Sequence, residues 1–418
     1  MPEMENQVSR VGPRVLIIGS YPIKSPQHGG QKRTDAIVRA YMNAGFDVRY
    51  VGVFSTLNYS EYSPSDLPVG VDANELIARS LLDTLTSDII CGNAISDDPQ
   101  VKREMCHLIS DFRPDIIELE QDYSYLGLRR VLEELGIQPK IVMSSHNIES
   151  TLKHDVLMSY GISVIDANRV KKELLEIERS LVQSADLVVA CNRRDAIHLQ
   201  RCGGKDIVIA PNGVCQWAHD EERSKQWSEK FAALGVDRFG TFVGSAHAPN
   251  VDGFLAMVGA GVGFLRPDMR LVVAGGVGGL LEEKVDVRKS ETLQNATFWM
   301  RVVSAGRISD EDLHGLIDAS DALLLPITYG GGSNLKTAEA LISGKRIVST
   351  SVAFRSFEWA RSLPGVVVED DPKRFREEIG KALSSGDFAG RSLANFPELS
   401  RVLWEDCLKD LIARIARL

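Results

Sequence analysis

"PITYGGGSNLKTAEALISG", residues 326–344, sits between the runs "DALLLP" (321–326) and "KRIVSTS" (345–351). The flanking runs read as buried strands. The whole is therefore a strand, loop, helix, strand unit whose loop opens at the carboxyl end of a strand. In open α/β sheets ligands bind at that end, and glycines there let backbone N–H groups approach an anion at the helix N-terminus. Phosphate is the expected anion. On a helix beginning near Asn334, the residues Leu335, Ala338, Leu341 and Ile342 fall on one side while Ser333, Lys336 and Glu339 line another. Read from the residues alone, this polar line also fits a capped surface helix with a Lys336–Glu339 (i, i+3) pair.

Working outward, the same strand-helix alternation fills the chain. "RVLIIG" (14–19) leads through "SYPIKSPQHGG" into a helix near Gln31 to Asn43, ended by Gly45 and followed by the strand "FDVRYVGV" (46–53). Further strands are expected at 115–119, 140–144, 186–190 and 207–210. After "APNGVC" (210–215) the series begins again at 240–244, 269–276, 321–326 and 346–350. The fold class is α/β, with two Rossmann-like domains in tandem and a ligand between their facing strand ends. The expected boundaries are 1–213 together with 396–418 for the N-terminal domain and 214–395 for the C-terminal one. In "FPELSRVLWEDCLKDLIARIARL" the residues Leu403, Leu408, Leu411, Ile412 and Ile415 form a helical stripe. The strings "GAGVGF" (259–264) and "GGVGGLL" (275–281) do not complete a dinucleotide fingerprint, because Phe264 and Leu281 stand where the third glycine belongs.

The 418 residues exceed one ordinary core. With 44% hydrophobic and 25% charged residues the chain is of ordinary globular type, and no apolar run is long enough to cross a bilayer. "MPEMENQVSRVGPR" lacks the sections of a signal peptide, so a cytoplasmic location is expected, with peripheral contact at the inner face of the membrane left open. A net charge of −9 gives no basic field for nucleic acid. The six cysteines lack CxxC spacing and read as buried free thiols, and no metal-ligand cluster accompanies the glycine loops.

On "HGGQKR" (28–33), "SSHNIES" (144–150), "ERSLVQSADLVVACN" (178–192), "IAPNGV" (209–214), "FVGSAHAPN" (242–250), "AGRISDEDLHGLIDASDALLLP" (305–326) and "GGGSNLKTAEAL" (330–341), the chain resembles the GT-B glycosyltransferases, and among them the retaining family 4 type. The resemblance covers nearly the whole length and rests on the order and spacing of the motifs. It implies transfer of a sugar from a nucleotide-diphosphate sugar to a sugar, glycan or glycolipid acceptor, without cofactor or metal, in pathways such as polysaccharide assembly. It also implies a terminal helix that crosses back over the N-terminal domain, which would bind the acceptor. A sugar-nucleotide epimerase and a catalytically silent binding protein are the alternatives.

The resemblance assigns donor binding to Gly29, Gly30, Gly244, Arg307, Ile308, Gly331, Gly332, Ser333, Asn334, Lys336 and Glu339, and a catalytic role to His146 and Lys336. Glu339 would hold the ribose hydroxyls and the loop amides the diphosphate, since Ser333 to Glu339 spans about 9 Å of helix. Arg307 and Ile308 match the base-binding loop. The family's first glutamate, eight positions before Glu339, is Gly331 here, and "FVGSAHAPN" lacks the usual arginine and lysine, so Lys336 is expected to compensate the phosphate charge. His146 would contact the donor sugar, with a structural hydrogen bond as the other reading. Gly29 and Gly30 would approach phosphate or sugar, or serve turn geometry alone. Glu120 and Tyr123, after the strand at 115–119, are candidate acceptor contacts, or else solvated turn residues.

Overall fold

The computed structural model describes residues 12–70, 81–216, 219–259, 261–285, 293–386 and 388–418. The reading of the N-terminal polar stretch falls mainly on residues 1–11, outside the described residues. The chain divides into two units, one running to Pro211 and joined by Leu408–Leu418, the other spanning Asn212–Cys407.

The first unit is built on seven strands: β1 (Arg14–Gly19), β2 (Asp47–Ser55), β3 (Leu67–Val69), β4 (Ile116–Glu120), β5 (Lys140–Ser144), β6 (Leu187–Ala190) and β7 (Ile207–Ile209). They lie in the order β3-β2-β1-β4-β5-β6-β7 and every pairing is parallel. Leu16, Ile18, Ile117, Leu119 and Val188 on these strands are buried in the core beneath the helices. The order reverses between β1 and β4, and Gly19, Glu120 and Ser144 lie in one row across β1, β4 and β5. The residues just beyond that row share the sheet's switch point, the crevice where doubly wound sheets take ligands.

The second unit repeats the plan with six strands: β8 (Arg238–Val243), β9 (Met269–Ala274), β10 (Val302–Gly306), β11 (Ala322–Leu325), β12 (Arg346–Ser349) and β13 (Val366–Val368). Their order is β10-β9-β8-β11-β12-β13, again all parallel, with the switch point between β8 and β11. Each unit is thus a Rossmann-like doubly wound sheet.

Three strands lie outside the sequence expectation. β3 and β13 have three residues each, and β3 carries Pro68, so neither offers a run long enough to read. β10 is an edge strand with mostly half-buried residues. Residues 396–407, expected with the first unit, belong to the second, because Leu399 and Val402 are buried in its core and Val214 bridges to Leu403. The return begins at Leu408, inside the helix Trp404–Ile415, whose Leu408, Leu411 and Ile415 are buried. Cys91, Cys191, Cys202 and Cys407 are buried, but Cys215 is exposed and Cys106 only partly covered, contrary to the expectation of buried thiols.

Candidate functional site

At the switch point of the second sheet, β11 gives way to the loop that precedes the helix Leu335–Ile342. Gly330 and Gly332 hold φ of +123° and +61°, a region that side chains disfavour, so the glycine run is demanded by the backbone path. Three consecutive carbonyls of this loop are tied down by side chains. Arg355 donates from Nη2 to Gly331 O (2.5 Å) and from Nε to Gly332 O (2.7 Å), and Asn212 Nδ2 donates to Ser333 O (2.8 Å). Each carbonyl shares a trans peptide plane with the next residue's N–H, which points the opposite way. The amides of Gly332, Ser333 and Asn334 are therefore turned away from Arg355 and Asn212, at the positive end of a helix that no side chain caps. Ser333 Oγ and Asn334 Nδ2 are buried without a hydrogen-bond partner. Buried polar atoms in that state are few in native proteins and call for a partner, whether water, an ion or a ligand.

Lys336 and Glu339 stand one turn apart on this helix, beside a small cavity lined by Thr241, Val243, Ile317, Leu325 and Ala340. Both are partly buried. Burial pushes the Lys336 ammonium below its ordinary value; Glu339 opposes the shift and the Arg355 charge adds to it. A cation held in this way gains from an arriving anion. Thr337, on the inner face, donates to Ala353 O (2.6 Å) and fixes the helix to the segment that carries Arg355. The next residue, Ser356, holds φ of +85°, a strained backbone for a non-glycine residue.

The other residues expected at the donor, Gly244, Arg307 and Ile308, are dispersed along the carboxyl ends of the same sheet. Gly244 follows β8, donates its amide to Ala274 O (2.9 Å) and accepts from Val277 N (3.0 Å), closing the turn against β9. Arg307 and Ile308 follow edge strand β10, three strands from β11; Arg307 is exposed and Ile308 packs on the small cluster around Trp227 and Phe231.

The switch point of the first sheet is built differently. His146, just past β5, is buried, with Nδ1 hydrogen-bonded to Tyr21 Oη (3.0 Å) and Nε2 to Glu120 Oε2. Thr34 Oγ1 donates to the same Glu120 oxygen (3.0 Å). Burial alone would raise the Glu120 carboxyl, but the attraction and hydrogen bond of His146, with Arg33 behind, bring it down. Glu118 lies two residues earlier on the same strand face. It goes the other way, raised by burial and by repulsion from Glu120, although Tyr41 donates to it (2.7 Å). Arg33, itself 1% exposed, donates from Nη1 to Ala210 O (2.8 Å). Gln121, directly after Glu120, holds φ of +89°.

Gly29 and Gly30 open the helix Gly29–Asn43 behind a capping box of His28 and Gln31. A Cβ on Gly30 would stand 2.6 Å from Tyr21 Oη, so this glycine makes room for the Tyr21–His146 contact. Glu120 and Tyr123 are buried rather than solvated, and Tyr123 Oη donates to Glu149 Oε2 (2.7 Å). The structure thus gathers His146, Glu120 and Gly30 into one cluster and Gly331 to Glu339 into another. Tyr21, Thr34, Asn212 and Arg355 join them without having been singled out. Asn212 lies in the quoted "IAPNGV", Tyr21 follows the first strand directly, and Arg355 is a cation just past β12.

Residues 238–385, inside the second unit, match the family model described as Glycosyl transferases group 1. Among solved structures, an α,α-trehalose-phosphate synthase (UDP-forming) from Burkholderia vietnamiensis is similar at 14% identity and a TM-score of 0.63, over 97% of this chain and 99% of that one. HepE of Anabaena, in complex with UDP and glucose, is similar at 12% identity and 0.62, over 97% and 100%. The sucrose-phosphate synthase of Thermosynechococcus elongatus is similar at 15% and 0.61, over 97% and 96%. The chain has the GT-B glycosyltransferase fold of these neighbours. No curated protein matches the chain. Among the described residues no helix is long and apolar enough to cross a membrane.

Proposed function

We propose that this chain transfers a sugar from a nucleotide-diphosphate sugar to a sugar, glycan or glycolipid acceptor, with retention of the anomeric configuration. The carrying observation is the uncapped start of the helix Leu335–Ile342, where loop carbonyls are turned away by Arg355 and Asn212 while Ser333 Oγ and Asn334 Nδ2 await partners. A diphosphate meets those needs: its oxygens accept from the amides and from Ser333, and its charge suits Lys336. Glu339, one turn on, takes the ribose hydroxyls.

In the transition state the sugar becomes oxocarbenium-like and negative charge grows on the departing diphosphate. Fixed donors aimed at that charge lower the barrier more than they strengthen ground-state binding. Lys336, the amides up to Asn334 and the charge of Arg355 behind the loop supply this field, and the reaction proceeds without a divalent metal. The leaving phosphate takes the acceptor's proton. His146, held from both ring nitrogens by Tyr21 and Glu120, serves the shape of its cluster, and the first unit takes the acceptor. The protein works in the cytoplasm, in polysaccharide or glycoconjugate synthesis.

Because similar structures carry UDP or release it, UDP-sugars are the first donors to try. The test is incubation with a panel of nucleotide sugars, measuring nucleoside diphosphate release with and without candidate acceptors. Release that requires an acceptor, with a product of unchanged anomeric configuration by NMR, is expected. Interconversion of free nucleotide sugars would make the chain an epimerase, and tight binding without any release would make it a silent binder.

A further inference from the structure

Glu178, His198 and Cys202 lie together in the first unit, away from its switch-point cluster in sequence and in bonding. His198 and Cys202 are four residues apart, at the end of the helix Arg193–Arg201, and so share one face. Glu178 comes from the long helix Val164–Ser184. Their donor atoms converge: Cys202 Sγ is 3.5 Å from His198 Nε2 and 3.8 Å from Glu178 Oε1, and Nε2 and Oε1 are 2.6 Å apart. We propose that Glu178, His198 and Cys202 form a zinc-binding site, with the thiolate, the imidazole Nε2 and one carboxylate oxygen as ligands.

The donor set is the mixed sulfur, nitrogen and oxygen set that zinc accepts. Around a tetrahedral ion, Zn–S of about 2.3 Å and Zn–N or Zn–O of about 2.0–2.1 Å put sulfur about 3.5–3.6 Å from the lighter ligands. The Sγ–Nε2 separation matches this, and the Sγ–Oε1 separation is slightly longer. The Nε2–Oε1 pair is shorter than the roughly 3.4 Å that the same geometry requires, being closed by a hydrogen bond, so Glu178 must swing outward as the ion enters.

Glu178 is 1% exposed and brings its carboxylate to the buried side of the cluster, while the Arg179 guanidinium stands beside the Cys202 thiol and is displaced as an ion enters. Ser150 Oγ lies 3.5 Å from the second Glu178 oxygen. The His198 side chain remains 35% exposed, which gives the ion an entry path and leaves a fourth position for water. Sequence spacing gave no hint of the site, because the third ligand comes from a different helix and no CxxC accompanies it.

The experiment uses the full chain stripped of metal and titrated with Zn²⁺ against a chromophoric chelator, and with Co²⁺ for its thiolate-to-metal absorption band. One ion per chain, a Co²⁺ thiolate band and a higher melting temperature with Zn²⁺ are expected. Cys202→Ser should abolish the band, and Cys202→Ser and His198→Ala should each weaken Zn²⁺ by more than the roughly 10–100-fold that loss of a supporting hydrogen bond costs. Cys215→Ser, which removes the exposed thiol, should change nothing. If Cys202→Ser does not fold, the partly exposed His198→Ala carries the test alone. No stoichiometric Zn²⁺ binding, or binding that survives His198→Ala or follows Cys215, would overturn the site and leave a plain His198–Glu178 hydrogen bond between helices.

Discussion

The two switch points occupy the same place in two copies of one sheet plan, yet their polar groups are arranged differently. In the first unit the charges face one another: His146 is bonded through both nitrogens, Glu120 gathers His146 and Thr34, and Arg33 lies behind. In the second, the loop carbonyls are held by Arg355 and Asn212, no side chain caps the helix start, and Ser333 Oγ and Asn334 Nδ2 are buried without a hydrogen-bond partner. Both switch points keep buried polar atoms without a hydrogen-bond partner, Glu118 Oε1, Glu120 Oε1 and Ser144 Oγ in the first and Ser333 Oγ and Asn334 Nδ2 in the second, so the difference lies in charge: carboxylates facing His146 and Arg33 in one, a helix start with Lys336 in the other. Both carry a non-glycine residue in the left-handed region, Gln121 in one and Ser356 in the other, so strain accompanies both solutions.

The contrast predicts different failures. Glu120→Ala leaves Arg33 and the His146 imidazole buried without their carboxylate, and should cost about 3–5 kcal/mol of folding stability, read from urea unfolding. Lys336→Ala should leave unfolding almost unchanged yet slow single turnover at saturating donor by about 10²–10³-fold, because the charge it meets grows toward the transition state. Glu339→Ala should act mainly on affinity, by about 1–3 kcal/mol in donor binding with a smaller change in the saturated rate. A saturated rate intact in Lys336→Ala but abolished in Glu339→Ala would reverse the two roles.

A weaker effect concerns the cap of the first unit. Burial, with repulsion from His146, lowers His28 to about 4. The unfolded chain binds this proton near pH 6.5 and the folded chain only near 4, so stability should fall as pH drops through that window. His28→Asn, which keeps a capping oxygen, should flatten that dependence in urea midpoints measured from pH 7 to 5. The smallest expected effect is none: added Mg²⁺ or Mn²⁺ should not raise turnover, and a rise would show that Lys336 and the helix start do not suffice for the leaving group.

Long buried strands were legible in the sequence because all-parallel sheets write them as continuous apolar runs; "KIVMS" is β5 to the residue. The helix start at Asn334 was legible because glycines and a polar line have a backbone cause. What stayed hidden depends on tertiary meeting. Arg355 reaches back 23 residues to Gly332, and Tyr21 meets His146 across 125 residues, distances at which local pattern carries no information. Glu120 looked like a turn residue because it ends its strand, and only the row Gly19, Glu120, Ser144 shows why it is buried.

The central claim is that the start of the helix Leu335–Ile342 holds a diphosphate, and a binding cycle tests it most directly. Calorimetric affinities of each common nucleoside and of its diphosphate would be measured for the unaltered chain and for Lys336→Ala. The account predicts that the diphosphate adds affinity over the nucleoside for the preferred base, and that Lys336→Ala removes about 1.5–3 kcal/mol of that increment while leaving the nucleoside's own affinity unchanged. An increment that is absent, or that is the same in both proteins, would contradict it.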